Sequence, residues 1–278
     1  MKHRVDWTQV LIQCKNNVQK QITPLLRTLK QPQPNLGVGA GGDPIKQVDL
    51  AAENAIINTL RQHELSFTLV SEESGIEEHG DAPNECYVTT DPIDGTTNLV
   101  RGIPFNATSI AISTEQTLNT VHAALVADLA HSAIYVAQKG KGAYCNGKRI
   151  APSTLESLED AVIGLDLNTY KVQEIAPRLT SLIERTKHIR HFGANALELC
   201  YVADGTTDAF IDLRGKLRAT DIAAAWLILE EADARMTTPT NDLLNVTLSP
   251  KQRVSFIASG NLQIHRKILD LIKAEKET

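Results

Sequence analysis

Apolar residues at Val10, Leu11, Cys14, Val18, Ile22 and Leu25–Leu26 keep helical spacing and predict a helix from Trp7 to Leu29. Pro32, Pro34 and four glycines then predict a loop over Gln31 to Gly42. Ala51, Ala52, Ile56, Ile57 and Leu60 share one face and predict a second helix over Asp49 to Gln62. Short apolar runs follow at Phe67 to Val70 and Tyr87 to Thr90, with a polar loop between them. Thr108 to Ser113, Val121 to Leu129 and Ala133 to Gln138 read as successive strands, and Gly140 to Gly147 as a strand entering a hairpin turn. The second half alternates strand and helix. Strands are predicted at Ala161 to Leu165, Ala209 to Leu213 and Val254 to Ala258, and helices at Val172 to Arg185, Ala196 to Ala203, Ile222 to Ala234 and His265 to Lys276. This order predicts layered α and β structure with a soft boundary near Pro152, which divides the chain into halves 1–150 and 151–278 of one compact unit.

The 278 residues suffice for a large buried core. A formal net charge of -5 argues against nucleic acid as partner. No apolar stretch reaches membrane-span length, and the first twenty residues lack a signal-peptide core, so a cytoplasmic location is expected. Cys14, Cys86, Cys145 and Cys200 are scattered, which fits isolated thiols better than a zinc site or a disulfide framework. The sequons at Asn106 and Asn245 carry meaning only in a secreted protein. Gly37-x-Gly39-x-Gly41-Gly42 follows a helix and not a strand, so it fails as a dinucleotide fingerprint and reads as a flexible loop that brings Asp43 near a third metal. No Walker string is present. His188 and His191 read as a solvated turn or as the edge of a pocket.

Three acidic clusters lie at predicted junctions, where loops on rigid elements carry function. They are Glu72-Glu73 after the strand ending at Val70, Asp91 and Asp94 after the strand ending at Thr90, and Asp221 before the helix from Ile222. Pro92 and Gly95 predict a tight turn that aims both aspartates, and the Ile93 carbonyl, at one point. Such oxygens suit hard divalent cations. Each cluster also has a plain reading: a solvated turn for Glu72-Glu73, a turn pair for Asp94-Gly95, an N-cap for Asp221.

The string Asp91-Pro92-Ile93-Asp94-Gly95-Thr96-Thr97-Asn98 resembles the signature of the inositol monophosphatase family. So do Glu72-Glu73-Ser74, Gly102-Ile103-Pro104-Phe105, Gly140-x-Gly142-Ala143-Tyr144-x-Asn146-Gly147, Phe192-Gly193-Ala194, the run Glu198 to Gly205 and Asp221-Ile222-Ala223-Ala224. Gly42-Asp43-x-x-Lys46-x-x-Asp49 resembles the archaeal branch, which hydrolyses both inositol monophosphate and fructose 1,6-bisphosphate. The resemblance implies an α/β (α+β) fold, the layered αβαβα sandwich of sugar phosphatases. It implies two to three Mg2+ ions, replaceable by Mn2+, on Glu72, Asp91, the Ile93 carbonyl, Asp94 and Asp221. Asp91 would bridge two ions. Asp49 and Thr96, with Glu72, would orient and deprotonate the attacking water. Gly95, Thr96 and Thr97 would seat phosphate beside Asp94, Gly193, Ala194 and Asn195 would line the pocket, and Asp212 would meet substrate hydroxyls. Arg214 is a candidate for a second phosphate or a sugar oxygen, with a surface ion pair as its plain reading. A homodimer is also implied.

The sequence departs from the family pattern at Thr220 (an aromatic elsewhere), Ile45 (a threonine elsewhere) and Asp233, where a glycine commonly ends the helix. Asp tolerates the left-handed conformation, so modest strain is expected at 233. The leading expectation is a Mg-dependent phosphomonoesterase for a small polyol or sugar phosphate. The alternatives are a 3′(2′),5′-bisphosphate nucleotidase or NADP phosphatase, and a non-catalytic regulatory protein on the same fold, against which the complete acid set and Thr96 speak.

Overall fold

The computed structural model describes residues 5–29, 34–168 and 171–274. Residues 31–33 of the expected proline–glycine loop and the expected end of the last helix past 274 lie outside them. The first half holds helices α1 (Trp7–Ile22) and α2 (Gln47–Gln62) and strands β1 (Phe67–Ser71), β2 (Ile76–His79) and β3 (Tyr87–Asp94). The short helix α3 (Thr96–Arg101) follows, then β4 (Ala107–Ser113), β5 (Val121–Asp128), β6 (Ile134–Gln138), β7 (Ala143–Cys145) and β8 (Lys148–Arg149). The second half runs β9 (Val162–Leu165), α4 (Val172–Ile175), α5 (Thr180–Arg185), β10 (His188–Arg190), α6 (Asn195–Ala203), β11 (Ala209–Arg218), α7 (Ala219–Glu231), β12 (Arg235–Thr237), β13 (Arg253–Ser259) and α8 (Leu262–Ala274).

Two sheets form, ordered β2-β1-β3-β4-β5-β6-β7-β8 and β10-β9-β11-β13-β12. Alternation along the strands divides the core into layers. In β4 and β5, Ile110, Ile112, Ala123, Leu125 and Ala127 pack with Val10, Leu11, Cys14, Ile56 and Leu60 of α1 and α2. Ala111, Ala124 and Val126 face the other way, onto Leu197, Cys200, Ile222 and Leu229 of α6 and α7. The same two helices meet Phe210, Phe256 and Ala258 of the second sheet. The far side of that sheet, through Ile163, Ile211 and Ile257, takes Leu182 of α5 and Ile264, Ile268 and Ile272 of α8. The layers are therefore α, β, α, β, α, as the resemblance implied. Strands covered on both faces read as apolar runs without a polar side, which is why they were visible in the sequence.

Several elements differ from expectation for identifiable reasons. α1 stops at Ile22 and gives way to a 3-10 turn over Leu25–Arg27, because Pro24 has no N–H to continue the helical hydrogen bonds even though Thr23 keeps helical dihedrals. The expected helix Val172 to Arg185 is broken at Pro177, which lacks the N–H needed to continue it. β2 is an edge strand with only His79 buried, so its residues Ile76-Glu77-Glu78-His79 looked like loop. The His188 segment is a strand, paired with β9 in parallel. α7 ends three residues before the expected Ala234 in a left-handed C-cap: Asp233 has φ 66°, its N–H donates to the Glu230 carbonyl, and the Ala234 N–H donates to the Leu229 carbonyl. Among the described residues no helix is long and apolar enough to cross a membrane.

Candidate active site

The chemistry concentrates where β1 and β3, parallel neighbours in the first sheet, run out toward the first turn of α7. β3 does not stop at Thr90. It continues through Asp94 with a bulge, because Asp91 pairs with Ser109 and Asp94 with Ala107, two residues of β3 standing against one of β4. Pro92 has no N–H for the ladder and accounts for the interruption. In a regular strand, residues three apart point to opposite faces. The extra residue cancels that, so Asp91 and Asp94 share a face, as their partners 109 and 107 do. The expected tight turn is thus a bulge inside a strand. Gly95 then takes φ 82°, which reverses the chain into α3.

Asp221 does not precede its helix. It is the third residue of α7 and accepts the Arg218 N–H at 2.8 Å. Asp49 stands at the same place in α2, accepting the Lys46 N–H at 3.2 Å. Each carboxylate is fixed by a helix start and keeps one oxygen for other work. Asp94 is held by a different device: its two oxygens accept the N–H groups of Asn195 and Ala196 at 2.9 and 2.7 Å, at the start of α6. Asp91 accepts the Ile93 N–H at 3.1 Å.

Glu72, Asp91 and Asp221 bring one carboxylate oxygen each to within 4.8 Å of one another. Burial raises the pKa of Glu72 to about 8, with the charge of Asp221 adding to it, and that of Asp94 to about 7, again with Asp221. Burial, then Glu72, Asp94, Asp221 and Asp49, hold Asp91 well above the carboxylate range. Asp221 is raised by burial as well. Hard oxygen donors that repel one another in a desolvated site form a cradle short of positive charge, which fits divalent cations. The Ile93 carbonyl accepts the Thr96 hydroxyl at 2.8 Å, and its second lone pair remains available. Thr96 Oγ1 also lies 3.2 Å from Asp49 Oδ1. Burial lifts Asp49 to about 6, against the opposing charge of Lys46.

The other expected contacts are placed differently. Thr97 is exposed at the start of α3, and Gly95 and Thr96 are half-buried. Ala194 is buried beneath Gly95, where an added Cβ would come within 3.0 Å of its side chain. The Gly193 N–H is taken by Glu198 at 2.9 Å and the Asn195 N–H by Asp94. Asp212 is fully buried, and Arg214 is locked between Asp212 and Asp166, with Nη2 2.5 Å from an oxygen of each. The surface ion pair considered for Arg214 is therefore a buried one.

Three participants, Arg218, Glu198 and Asp166, had no role expected of them, and Glu73 was expected only as a member of its acidic pair. Arg218 Nη1 is 2.8 Å from Glu72 Oε1, and its other nitrogens reach Asp43 and the Gly41 carbonyl. Glu73 is raised to about 8 by burial and by Asp49. Glu198 is raised to about 8 by burial and has a buried Oε2 without partner, so it stays protonated near neutral pH. Asp166 was not singled out. Arg218, three residues before Asp221, offered the one local signal, a charge at the mouth of the α7 start.

The sequence model of the inositol monophosphatase family matches residues 7–277. A fructose-1,6-bisphosphatase/inositol-1-monophosphatase of Methanothermobacter thermautotrophicus is 36% identical over 276 residues, covering 96% of each chain. A bifunctional NADP phosphatase/NAD kinase of Methanococcus maripaludis is 32% identical over 96% of this chain and 49% of its own. The crystal structure of the MJ0109 gene product, an inositol monophosphatase–fructose 1,6 bisphosphatase, superposes with a TM-score of 0.84 at 32% identity, covering 96% of this chain and 100% of that one.

Proposed function

The chain belongs to the inositol monophosphatase family and is a phosphatase, and from that premise we propose that it hydrolyses inositol 1-phosphate and fructose 1,6-bisphosphate with Mg2+. The observation that carries the reading is the approach of Glu72, Asp91 and Asp221 within 4.8 Å. In this reading those three, with Asp94 and the Ile93 carbonyl, hold two to three ions, and Mn2+ substitutes. A bound divalent ion supplies positive charge for the phosphoryl oxygens and acidifies water. The chain's own residues do the rest. The Thr96 hydroxyl has one proton and two acceptors in reach, Asp49 and the Ile93 carbonyl. When it donates to Asp49, its lone pairs are turned to a water. Asp49, lifted to about 6 by burial, is poised to hold a proton close to neutral pH. The first residues of α3, Thr96 and Thr97 after Gly95, would seat the phosphate, and the segment 193–195 would line the leaving-group side. Glu72 is the third member of this catalytic set.

In the same proposal the half 1–150 supplies most of the metal ligands and the half 151–278 supplies Asp221, Asp212 and Arg214 to one compact unit. The buried pair Asp212–Arg214 would act on substrate hydroxyls only by opening. A homodimer and a cytoplasmic setting complete the reading. The NADP phosphatase among the relatives favours a second substrate class, a 2′-phosphorylated dinucleotide. The test is a phosphate-release panel with inositol 1-phosphate, fructose 1,6-bisphosphate, adenosine 3′,5′-bisphosphate and NADP, each in Mg2+ and in EDTA. Release from the first two, abolished by EDTA, is expected. Release only from NADP replaces the substrate assignment, and no release from any ester refutes the reading.

A further inference from the structure

Arg218 carries its charge into the carboxylate cluster itself. Its Nη1 lies 2.8 Å from Glu72 Oε1 and 3.8 Å from Asp221 Oδ1, its Nη2 pairs with Asp43, and its Nε donates to the Gly41 carbonyl at 3.2 Å. The side chain is only 13% exposed. Two of its partners are members of the cluster that fits divalent cations, and the third, Asp43, stands on the glycine loop. The seat is built for it. Gly41 is not held in a left-handed conformation, so nothing in its backbone demands glycine. A Cβ at 41 would lie 2.6 Å from Arg218 Nε, 2.9 Å from its Cζ and 2.8 Å from Glu72 Cγ. Glycine is required at 41 because the guanidinium and the Glu72 side chain fill that space. The loop is itself tied down beside them, with the Gly41 N–H donating to the Glu72 carbonyl at 2.8 Å and Arg253 donating to the Gly41 carbonyl at 2.9 Å.

Resting on the reading of Glu72, Asp91 and Asp221 as metal ligands, we propose that Arg218 is an internal counter-cation that occupies the Glu72–Asp221 side of the cluster and has to leave it before the full set of divalent ions binds. The guanidinium at 2.8 Å from Glu72 Oε1 competes with a metal ion for that oxygen, and a cation held so close repels an ion bound to the same carboxylate. Metal loading is thus an exchange: the ion displaces Arg218 from Glu72 and Asp221, and the same step breaks the arginine's hold on Asp43 and Gly41. Affinity for the ion is set lower than the carboxylates alone would give, and the Gly39–Asp43 segment loses the arginine's ties, though not its backbone bonds to Glu72 and Glu73, when the ion binds.

The test is calorimetric titration of Mn2+ into the metal-free protein, for wild type, Arg218→Met and Arg218→Lys, with thermal unfolding in EDTA as the check on folding. Arg218→Met should tighten Mn2+ binding by about tenfold or more, a change of about 1.4 kcal/mol per tenfold. Arg218→Lys keeps the charge but lacks the guanidinium fork that spans Glu72, Asp43 and the Gly41 carbonyl, so it should also tighten binding. In EDTA, Arg218→Met should melt below wild type, and the rise in Tm on adding Mn2+ should exceed that of wild type. Tighter binding in Arg218→Met with Arg218→Lys unchanged would show a mere long-range charge effect and overturn displacement. Equal or weaker binding in both variants, with wild type still binding Mn2+, overturns the inference alone. No binding by any of the three removes the metal site and the inference together.

Discussion

Replacing Asp91 by Asn should make the metal-free protein more stable while abolishing its response to metal. Asp91 faces Glu72, Asp94, Asp221 and Asp49 in a desolvated site and is held well above the carboxylate range. Two unit charges at the 4.8 Å limit of this cluster repel by about 3.5 kcal/mol at an effective dielectric constant of about 20. The alternative, protonating Asp91, costs about 1.4 kcal/mol per pH unit above its ordinary value. By either route the native carboxyl destabilises the metal-free fold at pH 8. The folded state binds the proton that the unfolded chain has released. Stability therefore falls as pH rises from about 4, the ordinary value, through the raised one. Asn keeps the oxygen that accepts the Ile93 N–H and finds carboxylates for its amide. We expect a gain of about 2 to 4 kcal/mol at pH 8 in EDTA, shrinking to nearly nothing at pH 4. In Tm this is a rise of about 5 to 10 °C at pH 8. Excess Mg2+ should stabilise wild type by about 3 kcal/mol at a hundred times its Kd and leave the variant nearly unchanged. Thermal unfolding by circular dichroism, at both pH values with EDTA or Mg2+, reads all four numbers. A variant less stable than wild type at pH 8 in EDTA would refute the reasoning.

Three further expectations are independent of one another. Thr96→Val removes the hydroxyl shared by Asp49 and the Ile93 carbonyl and should lower the rate of phosphate release by about 10²- to 10⁴-fold, with Mn2+ affinity by calorimetry little changed. Gly164→Ala would drive a Cβ to 2.9 Å from Phe210 Cδ2 and 3.0 Å from Glu198 Oε2, which should cost about 1 to 3 kcal/mol in denaturant unfolding. His265 is buried between the Ser259 and Thr237 hydroxyls, and burial, then Arg235, lowers it to about 4. Its unfolded form takes a proton below about 6.5 while the folded form does not, so stability falls by roughly 3 kcal/mol as pH drops from 7 to 4. His265→Asn should flatten that part of the acid-unfolding curve.

The layers were legible because strands covered on both faces, such as β4 and β5, carry apolar residues on both sides with few charges, and because α1, α2 and α8 carry one apolar face. What escaped lies where local sequence is silent. β2 pairs along one edge and buries only His79, so it shows no alternation. The Asp91–Asp94 bulge needs knowledge of the partner strand, since nothing in Pro92-Ile93 says which residue of β4 each aspartate opposes. The acid string itself was visible by resemblance, as was Asp221. Their convergence depends on α7 beginning at Ala219, and the expected start at Ile222 left Asp221 outside its helix. The pairing of Arg214 with Asp166 joins residues 48 positions apart, and that of Arg218 with Glu72 joins residues 146 apart. Ion pairs of that reach leave no trace in spacing or periodicity.

Anomalous scattering from crystals grown in Mn2+ would locate the ions without reference to any substrate. Peaks should stand among the carboxylates of Glu72, Asp91 and Asp221, with a further one beside Asp94. Mn2+ found only on surface carboxylates, with Glu72, Asp91 and Asp221 bare at saturating metal, would contradict the site and the reaction built on it.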